Sequence, residues 1–347
     1  MTALPRAALR AEAGGALGPH RRQSLGLGAG PPGSLPARLA GQCQLLRPTH
    51  PPAPSRWGWG PRGSLGERGG EQGCRGHMAD LPAFSRPVSD FHYVAMDFGG
   101  HGLSSHYSPG LPYYHQNFVS EIRRVAAALK WNRFSLMGHS FGGTVGGMFS
   151  CIFPEMVDKL ILLDASPFAL DSNELEHLLT YRRRAIEHTL QVEASQKPSR
   201  VVSPAEMLQG FLKNNSHVGE ECGELLLQRG ATRVAAGLVL NRDRRIARPE
   251  HSFEFISREL FVHGIRRLQA RVLLIKALQG YCDVRRENDA DREPLLFMLA
   301  TLRSTLTERF QFVEVPGNHY VHMNEPHHVA GVISAFLQSS GPQPGCS

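Results

Sequence analysis

The chain has 347 residues and a formal net charge of +7. It contains no run of about 18 apolar residues, so the sequence predicts no transmembrane segment. Its six cysteines show neither a C-x-x-C motif nor regular spacing, which argues against a disulfide framework or a zinc site and is typical of free thiols in a reducing compartment.

The positive charge is concentrated at the N terminus. Residues 1–77 contain ten arginines, no lysine and three acids, which accounts for the whole net charge of +7. Because this glycine- and proline-rich part offers too little apolar surface for a core, we expect residues 1–87 to be disordered. The arginines are not interleaved with aromatic residues, so we expect no nucleic-acid partner. We expect a cytoplasmic protein, with a mitochondrial location as the alternative if residues 1–50 act as a transit peptide.

From about residue 88 onward, strand-like and helix-like patterns alternate, and the segment is long enough for a sizeable core. Apolar runs predict strands at 91–96, 134–137, 157–163, 272–275 and 310–315. Helical spacing of apolar residues predicts helices at 118–129, 295–306 and 329–337. This alternation predicts an α/β fold with a mostly parallel sheet and helices on both faces. In such sheets the reactive groups gather at the carboxyl ends of the strands.

The most informative motif is Gly-His-Ser-Phe-Gly at residues 138–142, between a predicted strand and a segment of small residues. A strand, a sharp turn bracketed by glycines and a helix are the setting of a nucleophile elbow. We therefore predict Ser140 as a nucleophile and the backbone N–H of Phe141 as an oxyanion donor. A glycine-rich loop that merely opens a helix is the competing interpretation.

A serine hydroxyl needs a base and an acid to become reactive. His319 directly follows the fifth predicted strand, and we predict that it is the base. Asp283 follows the fourth strand and is our predicted acid, with Asp164 after the third strand as the alternative. The turn at 97–104 is interpreted as structural, with His101 as a less favoured catalytic candidate. The arginines at 182–184 are interpreted as a solvated helix face.

Three of these segments resemble the α/β-hydrolase superfamily: the turn Asp-Phe-Gly-Gly-His-Gly-Leu-Ser at 97–104, the elbow, and Gly-Asn-His at 317–319. The order Ser140, Asp283, His319 is also that of the superfamily. The similarity covers about residues 90–338 and is close to the serine hydrolase-like proteins. It implies an α/β-hydrolase core at 88–165 and 269–340, with a helical cap at 166–268. It also implies a Ser-Asp-His hydrolase for a small ester-type substrate that needs no metal or cofactor.

One departure from this family lies upstream of the turn at 97–104. There, a strand that ends in a His-Gly loop normally supplies the second oxyanion donor. Residues 57–66 read Trp-Gly-Trp-Gly-Pro-Arg-Gly-Ser-Leu-Gly, which contains neither an apolar strand nor a His-Gly loop. We therefore predict that the N-terminal core strands are missing. This leaves two alternatives to an active enzyme: a catalytically impaired hydrolase-fold protein that binds or regulates a partner, and a truncated, non-functional isoform.

Overall fold

The computed structural model describes residues 43–48, 91–170, 175–195, 198–247, 252–282 and 292–339. The strands of these residues are β1 (Cys43–Pro48), β2 (Phe91–Met96), β3 (Phe134–His139), β4 (Val157–Leu163), β5 (Ala169–Leu170), β6 (Val201–Val202), β7 (Ala231–Val234), β8 (Gly237–Leu240), β9 (Phe255–Ile256), β10 (Arg271–Gln279) and β11 (Phe310–Asn318). Their helices are α1 (His115–Ala128), α2 (Phe141–Ile152), α3 (Leu175–Ala194), α4 (Pro204–Asn214), α5 (Glu220–Gly230), α6 (Arg258–Arg267), α7 (Glu293–Leu306), α8 (Val321–Asn324) and α9 (His327–Gln338). None of the described helices is long and apolar enough to cross a membrane.

The largest sheet has six strands in the order β11-β10-β4-β3-β1-β2. The strands β3, β4, β10 and β11 pair in parallel, whereas β1 is antiparallel to both of its neighbours. All five predicted strands form, so the expected α/β fold with a mostly parallel sheet is confirmed.

Successive side chains of each strand point to opposite faces of this sheet, so the core has two parts. On one face, Leu136, Leu160 and Leu274 pack with residues of α1, α2, α6 and α7. On the other, Met137 and Ile161 pack with residues of α8 and α9. Because both faces are covered, the strands read as nearly continuous apolar runs, as they do in parallel sheets generally.

The strand β1 corrects the expectation that residues 1–87 are disordered and that this part of the sheet is missing. It lies between β2 and β3, and the side chains of Leu45 and Leu46 are fully buried, one on each face of the sheet. A run of two apolar residues is too short to predict a strand from sequence. The strand can form nonetheless, because the hydrogen bonds between antiparallel strands join backbone groups and do not depend on the side chains. The window at 57–66 and the rest of 1–87 lie outside the described residues.

The region between β4 and β10, here called the cap, contains the four helices α3 to α6 among its described residues. It also contains a small antiparallel sheet in the order β6-β8-β7, which the expectation of a helical cap did not include. Gly237 allows the tight hairpin between β7 and β8, since its φ is +146° and a Cβ there would lie 2.3 Å from the backbone oxygen of Val202.

Candidate active site

Ser140 occupies a strained turn between β3 and α2. Its φ of 51° and ψ of −123° are rare for a residue with a side chain, and such strain is concentrated at functional sites. The turn requires glycine at Gly138, where a Cβ would lie 2.4 Å from the backbone oxygen of Gly142. The geometry therefore has the features that the sequence predicted for a nucleophile elbow.

Asp164 and His319 form a buried pair at the ends of β4 and β11. Nδ1 of His319 donates a 2.6 Å hydrogen bond to Oδ2 of Asp164. Burial alone would raise the pKa of Asp164, but the hydrogen bond from His319 and the charges of His319 and Lys276 outweigh it and lower this pKa below its ordinary value. The carboxylate therefore stays ionised near neutral pH and is suited to orient the imidazole.

Lys276, on β10, is a site residue that the sequence reasoning did not single out. Its Nζ donates a 2.6 Å hydrogen bond to Oδ1 of Asp164, and both side chains are buried. The same Oδ1 accepts a hydrogen bond from the backbone N–H of Ala277 at 3.1 Å. The signal that could have revealed it is a lysine in the middle of the apolar run Val-Leu-Leu-Ile-Lys-Ala-Leu at 272–278.

Two further histidines lie near His319. Nε2 of His139 donates a 2.7 Å hydrogen bond to the backbone oxygen of His319. The ring of His322 packs 4.2 Å from that of His139, centroid to centroid. Burial, with a smaller contribution from the charge of His319, lowers the pKa of His322 to about 3, so this ring is neutral near pH 7.

A cavity of about 1040 Å³ lies over these groups and includes Ser140, Asp164 and His319 in its wall. Phe141 lines it beside the nucleophile and is the first residue of α2, so its N–H has no preceding helical carbonyl to bind. The cap contributes apolar side chains, among them Met207 and Phe211 of α4. The cavity can therefore hold a small molecule with a substantial apolar part.

The turn at 97–104 connects the core to the cap. Arg229 of α5 forms an ion pair with the buried carboxylate of Asp97, and Nε of Arg229 lies 2.9 Å from Oδ2. That oxygen also accepts the backbone N–H of Leu103 at 3.1 Å. His101 lines the cavity, with its Nδ1 3.2 Å from the backbone oxygen of Gly99, and its pKa is lowered to about 4, mainly by burial. These contacts fit the structural interpretation of the turn.

Asp283, our predicted acid, lies outside the described residues, which end at Cys282 and resume at 292. The structure places the alternative, Asp164, against His319, and the role of Asp283 stays a prediction. The arginines at 182–184 are exposed, as expected for a solvated face of α3.

Comparisons with known proteins agree with this architecture. Residues 73–326 match the family described as alpha/beta hydrolase fold. The chain is 75% identical over 268 residues to "Serine hydrolase-like protein" of Mus musculus, covering 76% of this chain and 86% of the mouse protein. It is 70% identical over 267 residues to "Serine hydrolase-like protein 2" of Homo sapiens, covering 76% of this chain and 85% of the human protein.

Solved structures give the same fold. The hypothetical protein PA1622 from Pseudomonas aeruginosa PAO1 aligns with a TM-score of 0.59 and 26% identity, over 71% of this chain and 82% of that one. The thioesterase domain from the curacin biosynthetic pathway aligns with a TM-score of 0.57 and 18% identity, over 74% and 85% of the two chains, and shows the fold alone.

A parallel sheet with a serine elbow at one strand end and a histidine at another defines the α/β-hydrolase class. The chain belongs to this family, and within it the chain resembles the serine hydrolase-like proteins. The family and its relatives support a hydrolase in general.

Proposed function

We propose that this protein is a serine hydrolase that cleaves an ester-type bond in a small substrate. Ser140 is the nucleophile, His319 the general base and Asp164 the acid that orients it. The observation that carries the proposal is the 2.6 Å hydrogen bond between His319 and Asp164 in the same cavity wall as Ser140. The cytoplasmic location and the absence of nucleic-acid partners stay predictions.

In the proposed reaction, Oγ of Ser140 attacks the carbonyl carbon while Nε2 of His319 takes the hydroxyl proton. The resulting oxyanion faces the N–H of Phe141, and its collapse expels the alcohol, which takes that proton from His319. Water then hydrolyses the acyl-enzyme with His319 again acting as base. Asp164 remains a carboxylate and stabilises the imidazolium that forms at each step.

The apolar side chains of the cavity support a substrate with a hydrophobic acyl or alkoxy group. Phe141 and Phe253 pack edge to face, with ring centroids 5.0 Å apart, and form an aromatic wall next to Ser140. An apolar group is stabilised when it leaves water for such a wall, whereas an unpaired charge would be disfavoured there.

The direction of β1 supports the second candidate, a hydrolase-fold protein impaired in catalysis that binds or regulates a partner. In the usual arrangement, the oxyanion loop leaves a strand at the carboxyl edge of the sheet. Here β1 is antiparallel to β3 and ends at Pro48, opposite Phe91 at the start of β2, so its C-terminal end is far from Ser140. The loss of one oxyanion donor typically slows catalysis about a hundred- to a thousand-fold.

The test is the intact mass of the full chain after incubation with a fluorophosphonate, with Ser140→Ala as the control. A mass increase that requires Ser140 supports the serine hydrolase. A chain that melts cooperatively without being labelled supports the binding protein instead. A chain with neither labelling nor a melting transition would correspond to the truncated, non-functional isoform.

A further inference from the structure

Lys276 occupies a position of β10 whose side chain points toward a buried face of the sheet, where an apolar residue is expected. Val272 and Leu274, which precede it on the same face of the strand, are fully buried in the core. The side chain of Lys276 is only 8% exposed, and its Nζ donates to Asp164 and to the backbone oxygen of Ala277. A buried ammonium group is unfavourable unless it is paired, and an apolar side chain could fill the same space without that penalty. The lysine therefore points to a role beyond packing.

We infer that Lys276 is a positioning residue for the proposed base: it fixes the carboxylate of Asp164 toward His319 and balances its charge. This inference rests on the proposed function, because it assigns Lys276 a part in holding the proposed acid against the proposed base. The lysine acts through Asp164 and is not itself assigned to the reacting atoms.

The contacts of Asp164 leave its carboxylate no freedom to turn. Oδ1 accepts hydrogen bonds from Lys276 and from the N–H of Ala277, which reserves Oδ2 for Nδ1 of His319. Gly280 closes the remaining side, since a Cβ there would lie 2.2 Å from Oδ2. Residues whose geometry is locked by such supporting contacts hold a catalytic pair in its productive arrangement.

The ammonium group of Lys276 also changes the electrostatic potential at the imidazole of His319. An unopposed carboxylate would favour the protonated imidazole, which cannot act as a base, whereas a neighbouring ammonium offsets that attraction. Among the residues that the structure describes, the other titratable side chains near His319 are His139 from β3, His322 from α8 and the rings of Tyr281 and Tyr320. His322 is neutral near pH 7, so within this described group the charges next to the imidazole are those of Asp164 and Lys276.

The experiment compares Lys276→Met and Lys276→Gln, which remove the charge, with Lys276→Arg, which keeps it. Lys159→Met is the matched control, because Lys159 lies on β4 with its Nζ 2.8 Å from the backbone oxygen of Leu337, away from the cavity. The first readout is the NMR titration midpoint of the His319 imidazole, assigned with His319→Gln. The second is the rate of fluorophosphonate labelling of Ser140 at several pH values.

We expect the midpoint to rise by about one pH unit in the Met and Gln variants. Labelling well below the wild-type midpoint then falls about tenfold, and the difference shrinks at higher pH. The Arg variant and Lys159→Met should keep the wild-type midpoint. A Met or Gln variant that melts cooperatively with the wild-type midpoint overturns the inference, and so does an Arg variant whose midpoint rises as theirs does.

The two readouts separate this inference from the proposed function. If the wild-type chain resists labelling while Lys276→Gln still raises the midpoint, the proposed function fails and the role of Lys276 stands. If Lys276→Met does not fold, the Gln and Arg variants decide the question, since both retain a polar side chain that can bind Asp164.

Discussion

Oδ2 of Asp164 accepts a 2.6 Å hydrogen bond from Nδ1 of His319, although 155 residues separate the two in the chain. Their strands, β4 and β11, are not neighbours in the sheet, because β10 lies between them and contributes Lys276. Asp164 reaches this position through a turn with φ of +43°, which is rare for a residue with a side chain. The proposed acid and base are thus brought together from two strand ends that flank a third.

The proposed role of Asp164 can be tested against that of Asp283. Asparagine at position 164 keeps the shape of the side chain but cannot balance the imidazolium, and its amide can stabilise the wrong histidine tautomer. We therefore expect Asp164→Asn to lower the rate of fluorophosphonate labelling about ten-thousand-fold. Asp283→Asn should keep the wild-type rate. The reverse ranking, in variants that both melt cooperatively, would transfer the role to Asp283.

The sequence was sufficient for the parts of the fold that carry strong local patterns. The five apolar strands are confirmed because a buried parallel strand leaves a clear signature, and the strained turn at Ser140 lies where the glycine-bracketed motif predicted one. Two features were not predictable from pattern. The strand β1 offers only the short apolar run Leu45-Leu46 in its sequence, and the pairing of Lys276 with Asp164 depends on a tertiary contact between residues 112 positions apart.

The buried ring of His115 makes stability depend on pH. It packs against Phe141 and Phe253, and burial lowers its pKa to about 4, against smaller opposing contributions from the backbone of Ser252 and Thr144. The unfolded chain binds a proton at this ring below about pH 6.5, whereas the folded chain does not do so until about pH 4. The free energy of unfolding should therefore fall as the pH is lowered through this window, by up to about 1.4 kcal/mol per pH unit.

Leucine at position 115 cannot be protonated. The free energy of unfolding of His115→Leu should therefore depend less steeply on pH than that of the wild type, by up to about 1.4 kcal/mol per pH unit. The measurement is urea denaturation at pH 7, 6 and 5. The control is the same substitution at the exposed His327, which should leave the wild-type slope unchanged. Equal slopes for wild type and His115→Leu would mean that the ring of His115 is accessible to protons in the folded state.

Arg245 holds the cap to the core through a buried network. Its guanidinium forms ion pairs with Asp243 and with Glu193 of α3, and it donates to the backbone oxygens of Tyr107, Ser108 and Leu111. Removal of one partner from a buried ion pair typically costs about 3 to 5 kcal/mol, because the other charge stays buried. We expect Arg245→Met to lower the free energy of unfolding by about this amount.

Chemical denaturation measures the effect, and Arg183→Met is the control. Arg183 pairs with Glu187 on the surface of α3, where the two side chains are 80% and 60% exposed, so its loss should change the free energy of unfolding by less than about 1 kcal/mol. Similar stabilities for the two variants would show that the network around Arg245 adds nothing beyond a surface ion pair.

The strand β1 determines whether the N-terminal segment belongs to the fold. Leu46 is fully buried with Met137 and Ile161, so Leu46→Ala should lower the free energy of unfolding by about 2 to 5 kcal/mol. Leu45→Ala should have a similar effect through the opposite face of the sheet. Leu278→Ala on β10 is the control, since that side chain is 61% exposed and its loss should change stability by less than about 0.5 kcal/mol. If both leucines of β1 behave like Leu278, the strand does not pair in solution, and β2 and β3 lack the neighbour that separates them here.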